Sequence, residues 1–308
     1  MELSSIKHIE SSKLADFKAD LFITTLGFES RTTTVARMYE SVSCRKIALE
    51  PSNPVKEYAF QENLRYFREH GFEFIQVPSE IPDVDAVFQG LNGKNMHVAL
   101  DCTSMHPTWY YEFFKWFDRK QDGEEKVRMR IAYTMADYVR QPGTRKVREI
   151  FDFLKDDMKP ANGKKVALIL GLGQEKNVSD SIYKLINPDV LYLFYADPPA
   201  DKKFVEKVFI NNHNLINEAP IRNLVAYPIR NGQTIYQSLI NTILPLRDEY
   251  SIVLIPQGPK IFSVVSLLVH MGYPDIRISY PRLKKPPVVD RRAKDAPVVL
   301  DILFEGEE

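Results

Sequence analysis

Four short segments hold most of the residues that could do chemistry. The first is Gly27–Phe28–Glu29–Ser30–Arg31, which follows an apolar run and should enter a helix. Gly27 permits a tight turn, the helix start offers free N–H groups, and the Arg31 guanidinium can grip a phosphate in bidentate fashion. Read structurally, the same segment is a capped turn with Ser30 or a neighbouring Thr as the cap and Arg31 in solvent. The second is Gly171–Leu172–Gly173–Gln174–Glu175–Lys176, where Gly171 and Gly173 after a strand let the backbone approach a ligand and Glu175 lies in the same loop. Asp197, at the end of the next strand, is placed to accept from ribose hydroxyls, or it simply belongs to the turn Asp197–Pro198–Pro199. The third is Asp101–Cys102–Thr103–Ser104–Met105–His106–Pro107. Here Asp101 could be a base, Thr103 and Ser104 hydrogen-bond donors, and His106 an acid or phosphate ligand. The plainer reading is an Asx or Ser/Thr turn with Pro107 in the first helical position. The fourth is Gln257–Gly258–Pro259–Lys260, in which Gly258 allows close approach. Lys260 stands at a helix start, where the dipole disfavours a cation unless an anion compensates.

None of these segments completes a stronger signature. Neither the dinucleotide fingerprint nor the P-loop pattern is present, and no Gly-x-Ser-x-Gly elbow supports a Ser/His/Asp triad. The two cysteines, Cys44 and Cys102, have no CxxC spacing, and the histidines have no ligand-pair spacing. No metal, organic cofactor or disulfide framework is therefore expected.

The elements that must position these segments repeat along the chain. Short apolar runs near 20–26, 45–50, 72–77, 96–101 and 128–134 alternate with helical patterns. A second set near 165–170, 190–195, 223–227, 251–256 and 276–280 does the same. Five landmarks recur at separations of 144 to 155 positions, from Gly27 and Gly171 to Ile131 and Ile278. Alternating strands and helices imply βαβ units, so the expected fold is α/β, with two tandem Rossmann-like parallel-sheet domains arising from an internal duplication. The expected boundaries are 1–140 for the first domain, 141–163 for a linker, and 164–308 for the second with a C-terminal extension. Within the linker, Arg148–Met158 reads as a short helix ended by the turn Pro160–Ala161–Asn162–Gly163. Val298–Phe304 reads as an added strand. The aromatic helix 109–117 suits a core better than a base-stacking platform, because its aromatics lie on all sides.

Composition narrows the function classes. The 308 residues carry 41 Lys plus Arg and 41 Asp plus Glu, so no global basic field favours nonspecific duplex binding. The segment Arg282–Asp295 is locally basic; it reads as a solvated linker, with nucleic-acid contact the less favoured alternative. No apolar run reaches the roughly 18 residues of a membrane span, and no secretory or transit signature stands at the N-terminus. A cytoplasmic protein with no membrane partner is expected.

With these loops in view, the chain resembles the duplicated Rossmann-type sensor domains of bacterial defence systems. CARF domains pair by dimerisation, and SAVED domains fuse two CARF-like halves. The resemblance is architectural and rests on Gly27–Arg31 and Gly171–Lys176 after the first strand of each half, and on Thr103–His106 and Gly258–Lys260 after the fourth. It implies a phosphorylated nucleotide, a cyclic oligonucleotide among the candidates, bound in the crevice between the two Rossmann-like halves, and a protein partner carrying the effector activity, since no nuclease, protease or membrane effector is evident. Two other readings stay open. One is an enzyme acting on a nucleotide or nucleoside, with Glu29 or Asp101 as acid/base or nucleophile. The other is a scaffold subunit of a larger assembly.

Overall fold

The computed structural model describes residues 2–78, 81–91, 95–119, 126–139, 147–152, 163–283 and 288–306. The chain divides into two units: residues 1–139 with 288–308, and residues 140–287. The second unit is thus inserted into the first. Residues 288–308, expected to extend the second half, complete the first instead.

The first unit is built on five parallel strands: β2 (Leu21–Thr25), β3 (Arg45–Pro51), β4 (Glu73–Val77), β5 (Asn95–Asp101) and β6 (Lys126–Tyr133). Their order is β6-β5-β2-β3-β4. Every residue of β2 is buried, as a strand covered on both faces requires. Helices α1 (Thr34–Met38) and α2 (Phe60–Glu69) supply Val35, Ala36, Phe60 and Phe67 to a core with Phe22, Ala48 and Ala99 from the sheet. The short α3 (Val84–Phe88) and the aromatic α4 (Pro107–Arg119) carry a second set of buried side chains. Phe113, Phe114 and Phe117 of α4 are fully buried, and Phe88 packs edge-on against Phe113 and Phe117. The aromatic helix is core.

Two antiparallel strands extend this sheet: β13 (Val298–Glu305) pairs with β6 on one side and with β1 (Glu2–Ile9) on the other. β13 is a tightly held insertion. Asp301, 5% exposed, faces Arg130 in register and accepts from Arg128 at 2.8 Å and Arg130 at 3.0 Å. Asp301→Ala should lower stability by about 2–3 kcal/mol in a urea titration, less than for a fully buried pair because Arg128 is half exposed.

The second unit repeats the plan. Strands β8 (Lys165–Gly171), β9 (Val190–Ala196), β10 (Leu224–Tyr227), β11 (Tyr250–Ile255) and β12 (Arg277–Leu283) lie in the order β10-β9-β8-β11-β12. This is the strand order of the first unit, element for element. The two units are Rossmann-like halves, and β5 and β11 hold the same central position. Helices α5 (Val178–Ile186), α6 (Lys202–Asn211), α7 (His213–Glu218), α8 (Gly232–Ile243) and α9 (Lys260–Gly272) connect the strands. α9 has ten consecutive buried residues, Ile261–His270, and so is apolar all round. Its buried His270 pairs with the Ile276 carbonyl at 2.8 Å and fixes the turn into β12.

One expected helix is a strand. Residues Val147–Asp152 form β7, which pairs antiparallel with β12 at the edge of the second sheet. The rest of the expected helix and most of the turn after it, residues 153–162, lie outside the described residues.

Candidate functional site

In a 3-2-1-4-5 sheet, ligands bind outside the strand C-termini where the strand order reverses. That point lies between β2 and β5 in the first unit and between β8 and β11 in the second. The four candidate loops leave these four strand ends, so each unit brings one pair of them together.

In the first unit the pair is closely knit. A Cβ on Gly27 would fall 2.7 Å from Ser104 Oγ and 2.8 Å from Thr32 Oγ1, and those two hydroxyls lie 3.0 Å apart. Asp101 is 1% exposed; it accepts from the Thr24 hydroxyl at 3.1 Å and the Thr103 amide at 3.0 Å. Thr103 Oγ1 accepts in turn from the Thr134 amide at 2.9 Å, tying the end of β5 to the end of β6. These contacts are those of the Asx turn that was the plainer expectation. His106 stands apart: it is exposed, and its Nδ1 pairs with Thr108 Oγ1 at 2.8 Å across the start of α4.

Glu29 and Arg31, expected at a ligand, are buried and bonded to each other. Arg31 Nε donates to Glu29 at 2.6 Å, and its other arm donates to the Thr134 carbonyl at 2.6 Å. Burial works against the Arg31 charge, but Tyr133 and Glu29 beside it outweigh burial and hold its pKa above the ordinary value. The other oxygen of Glu29 accepts from Arg291. Arg31 is therefore not the solvated arginine of the plain reading, and its Nε and one terminal nitrogen already face protein acceptors.

Arg291 belongs to the basic segment that was expected to be a solvated linker. Of its described residues, Arg282 and Leu283 end β12, and residues 288–295 instead lie against the first unit. Ser30 donates to Asp290 through its amide at 2.7 Å and its hydroxyl at 2.6 Å. The Asp137 amide donates to the Arg292 carbonyl at 3.1 Å, and the Lys294 amide to the Met135 carbonyl at 2.9 Å.

In the second unit the loops meet through backbone. A Cβ on Gly171 would fall 2.5 Å from the Gln257 carbonyl oxygen and 2.6 Å from a carbon of the Phe262 ring. Gly258 has φ +97°, and a Cβ there would fall 2.8 Å from the Leu172 carbonyl oxygen. Gly173 is different. Its only close neighbour would be the Glu175 carboxylate at 2.7 Å, a movable group, with the Gly258 nitrogen at 3.5 Å. Lys260 is the first residue of α9, whose first turn holds no acidic residue. Asp197 is exposed one position past β9, and its amide donates to the Tyr227 carbonyl at 2.8 Å.

Sequence reasoning missed the side chains that hold both loops. Asn63 of α2 is 3% exposed and donates to the carbonyls of Gly27 and Glu29, each at 3.0 Å. Asn212, between α6 and α7, is 1% exposed and donates to the Gly173 carbonyl at 2.9 Å. Each comes from the helical segment after the second parallel strand of its unit, so the duplication extends to a loop-clamping asparagine. For Asn63 the available signal was an asparagine at an apolar position of a helix, where its propensity is poor.

Among the described residues no three His, Cys, Asp or Glu side chains gather as a metal site, and no helix is long and apolar enough to cross a membrane. No family model and no curated protein matches the chain. Among solved structures it is similar to the cytoplasmic domain of a prokaryotic cation chloride cotransporter. The identity is 10%, with 86% of this chain and 95% of that chain covered at a TM-score of 0.26, a likeness too slight to carry an argument.

Proposed function

We propose that the chain binds a phosphorylated nucleotide at the switch point of its second unit, between the β8 and β11 loops. The observation that carries this reading is the way two glycine-bearing turns close on each other beside the start of α9. At the first switch point, Arg31, Glu29, Asp101 and Thr103 face protein partners and a chain segment lies against the loop. At the second, the two turns meet beside a 13-residue helix that begins with a lysine and has no acidic residue in its first turn. A phosphate there would complement both the helix dipole and Lys260. Gly171 and Gly258 let the two loops close on each other, and Gly173 lines the approach. Glu175, and Asp197 past the neighbouring strand, would face the sugar.

Of the two other readings, the enzyme has less support. Glu29 is held by two arginines, and Asp101 by Thr24 and Thr103, so both carboxylates serve to fix loops. A role as sensor or scaffold in a defence system, with an effector on a partner protein, rests on the resemblance in loop layout alone.

The test is Lys260→Ala against a panel of nucleoside phosphates and cyclic oligonucleotides, followed by calorimetry. Loss of one charge-assisted phosphate contact should weaken binding about ten- to a hundredfold. A thermal melt of the unliganded variant, run beside the titration, separates loss of the phosphate contact from loss of the fold. Unchanged affinity would remove Lys260 from the site.

A further inference from the structure

We propose that residues 288–295 are a strap that closes the first unit's switch point, latched by Asp290 on Ser30, and that it opens without unfolding the sheet it leads into. The strap is tied on one side to the loop after β2 and on the other to the loop after β6. Because β5 lies between β2 and β6, a segment tied to both loops runs across the C-terminal end of β5. That is the entrance a ligand of this unit would use.

The ties are polar throughout. Asp290 takes both the amide and the hydroxyl of Ser30. The Arg31 amide donates to the Arg291 carbonyl at 3.2 Å, and Tyr58 donates to the Val288 carbonyl at 3.3 Å. On the far side, Ala136 and Ala293 form an isolated antiparallel bridge. No residue from Val288 to Ala296 is buried, whereas Pro297 and the first five residues of β13 are. Asp295, at φ +60°, marks the bend between the two regimes. The strap's tie to a buried side chain is the ion pair from Arg291 to Glu29; a segment held by hydrogen bonds, an ion pair and little buried apolar surface opens at a fraction of the global unfolding free energy, while a strand packed between two others does not.

The closed strap makes the two units unequal. It leaves ligand binding to the second unit, a consequence that rests on the function proposed above; the latch itself does not. It also begins at Val288, one residue after the second unit's stretch of chain ends.

The experiment is hydrogen exchange on the full chain, wild type beside Asp290→Ala, with limited trypsin digestion as a second readout. Amide exchange at Ser30 and Arg31 should rise about ten- to a hundredfold in the variant, the expected result of losing two hydrogen bonds to a carboxylate. Cleavage after Arg291 and Arg292 should quicken by a similar factor. The β13 amides from Val298 to Phe304 should exchange as in wild type. Asp290→Asn, which keeps the shape and loses the charge, should fall between the two. Exchange in β13 rising in step with Ser30 would overturn the proposal, since strap and strand would then open as one body. Unchanged exchange at Ser30 would equally overturn it. A nucleotide titration run beside these tests separates the two readings: a strap that behaves as expected in a chain that binds no nucleotide leaves the latch standing and removes the function.

Discussion

Glu29→Gln should cost the first unit about 3–5 kcal/mol of stability, in the range for breaking a buried ion pair from one side. Glu29 is the only acceptor seen for the Arg31 Nε among the described residues, and its second oxygen faces Arg291. Glutamine has nearly the same shape, so packing is preserved and the loss is electrostatic. One of its two terminal positions becomes an NH2 group that must point at a guanidinium donor. Arg31, 5% exposed, then keeps its charge with little solvent to receive it. A urea titration followed by hydrogen exchange assigns the loss to a unit: amides of β2 and β5 should lose protection while those of β8 and β11 keep theirs. The same variant bears on the enzyme reading. If Glu29 were an acid or nucleophile, Gln would abolish activity in a protein of nearly wild-type stability. A destabilised chain with unaltered protection in the second unit is the outcome expected of a structural carboxylate.

The parallel strands were legible because each is a short apolar run bounded by turn residues, and because the duplication gives every strand a counterpart. Ten parallel strands follow from that pattern. Strands whose reason lies elsewhere in the chain were not legible. Residues 2–9 are mixed polar and apolar and become β1 only because β13 offers an edge to pair with. Residues 147–152 suit a helix or a strand equally in six positions, and pairing with β12 decides. Val298–Phe304 is plainly a strand, but nothing local says which of two similar sheets it joins. The site divides the same way. Strand ends locate the loops, so the four candidate segments do meet in pairs at the two switch points. What fills the loops' hydrogen bonds is a tertiary matter: Asp290 is 260 positions from Ser30, and Arg291 is 262 from Glu29. A guanidinium read as a free phosphate clamp therefore turned out to be buried against a carboxylate two residues away, with a second arginine arriving from the other end of the chain.

The glycines of the second unit separate fold from function most sharply. Gly171→Ala should destabilise that unit by about 3 kcal/mol, at the upper end for overpacking, because the new Cβ meets a backbone oxygen at 2.5 Å and a fully buried ring at 2.6 Å. Neither neighbour can swing aside, so the β8 and β11 loops must part. Gly173→Ala meets only the end of the Glu175 side chain, and it does not lie at a positive φ. It should therefore change stability by less than about 1 kcal/mol, since the group that must shift is the far end of a flexible side chain. Gly171 is explained by the protein's own packing; Gly173 is not, and close approach of a ligand would supply the missing reason. Thermal melts of both variants, paired with the nucleotide titration, give the answer. A Gly173→Ala chain that melts like wild type and binds at least about tenfold more weakly locates the ligand against this loop. Wild-type affinity in the same variant would place the ligand away from Gly173, and the crevice reading would lose its backbone contact.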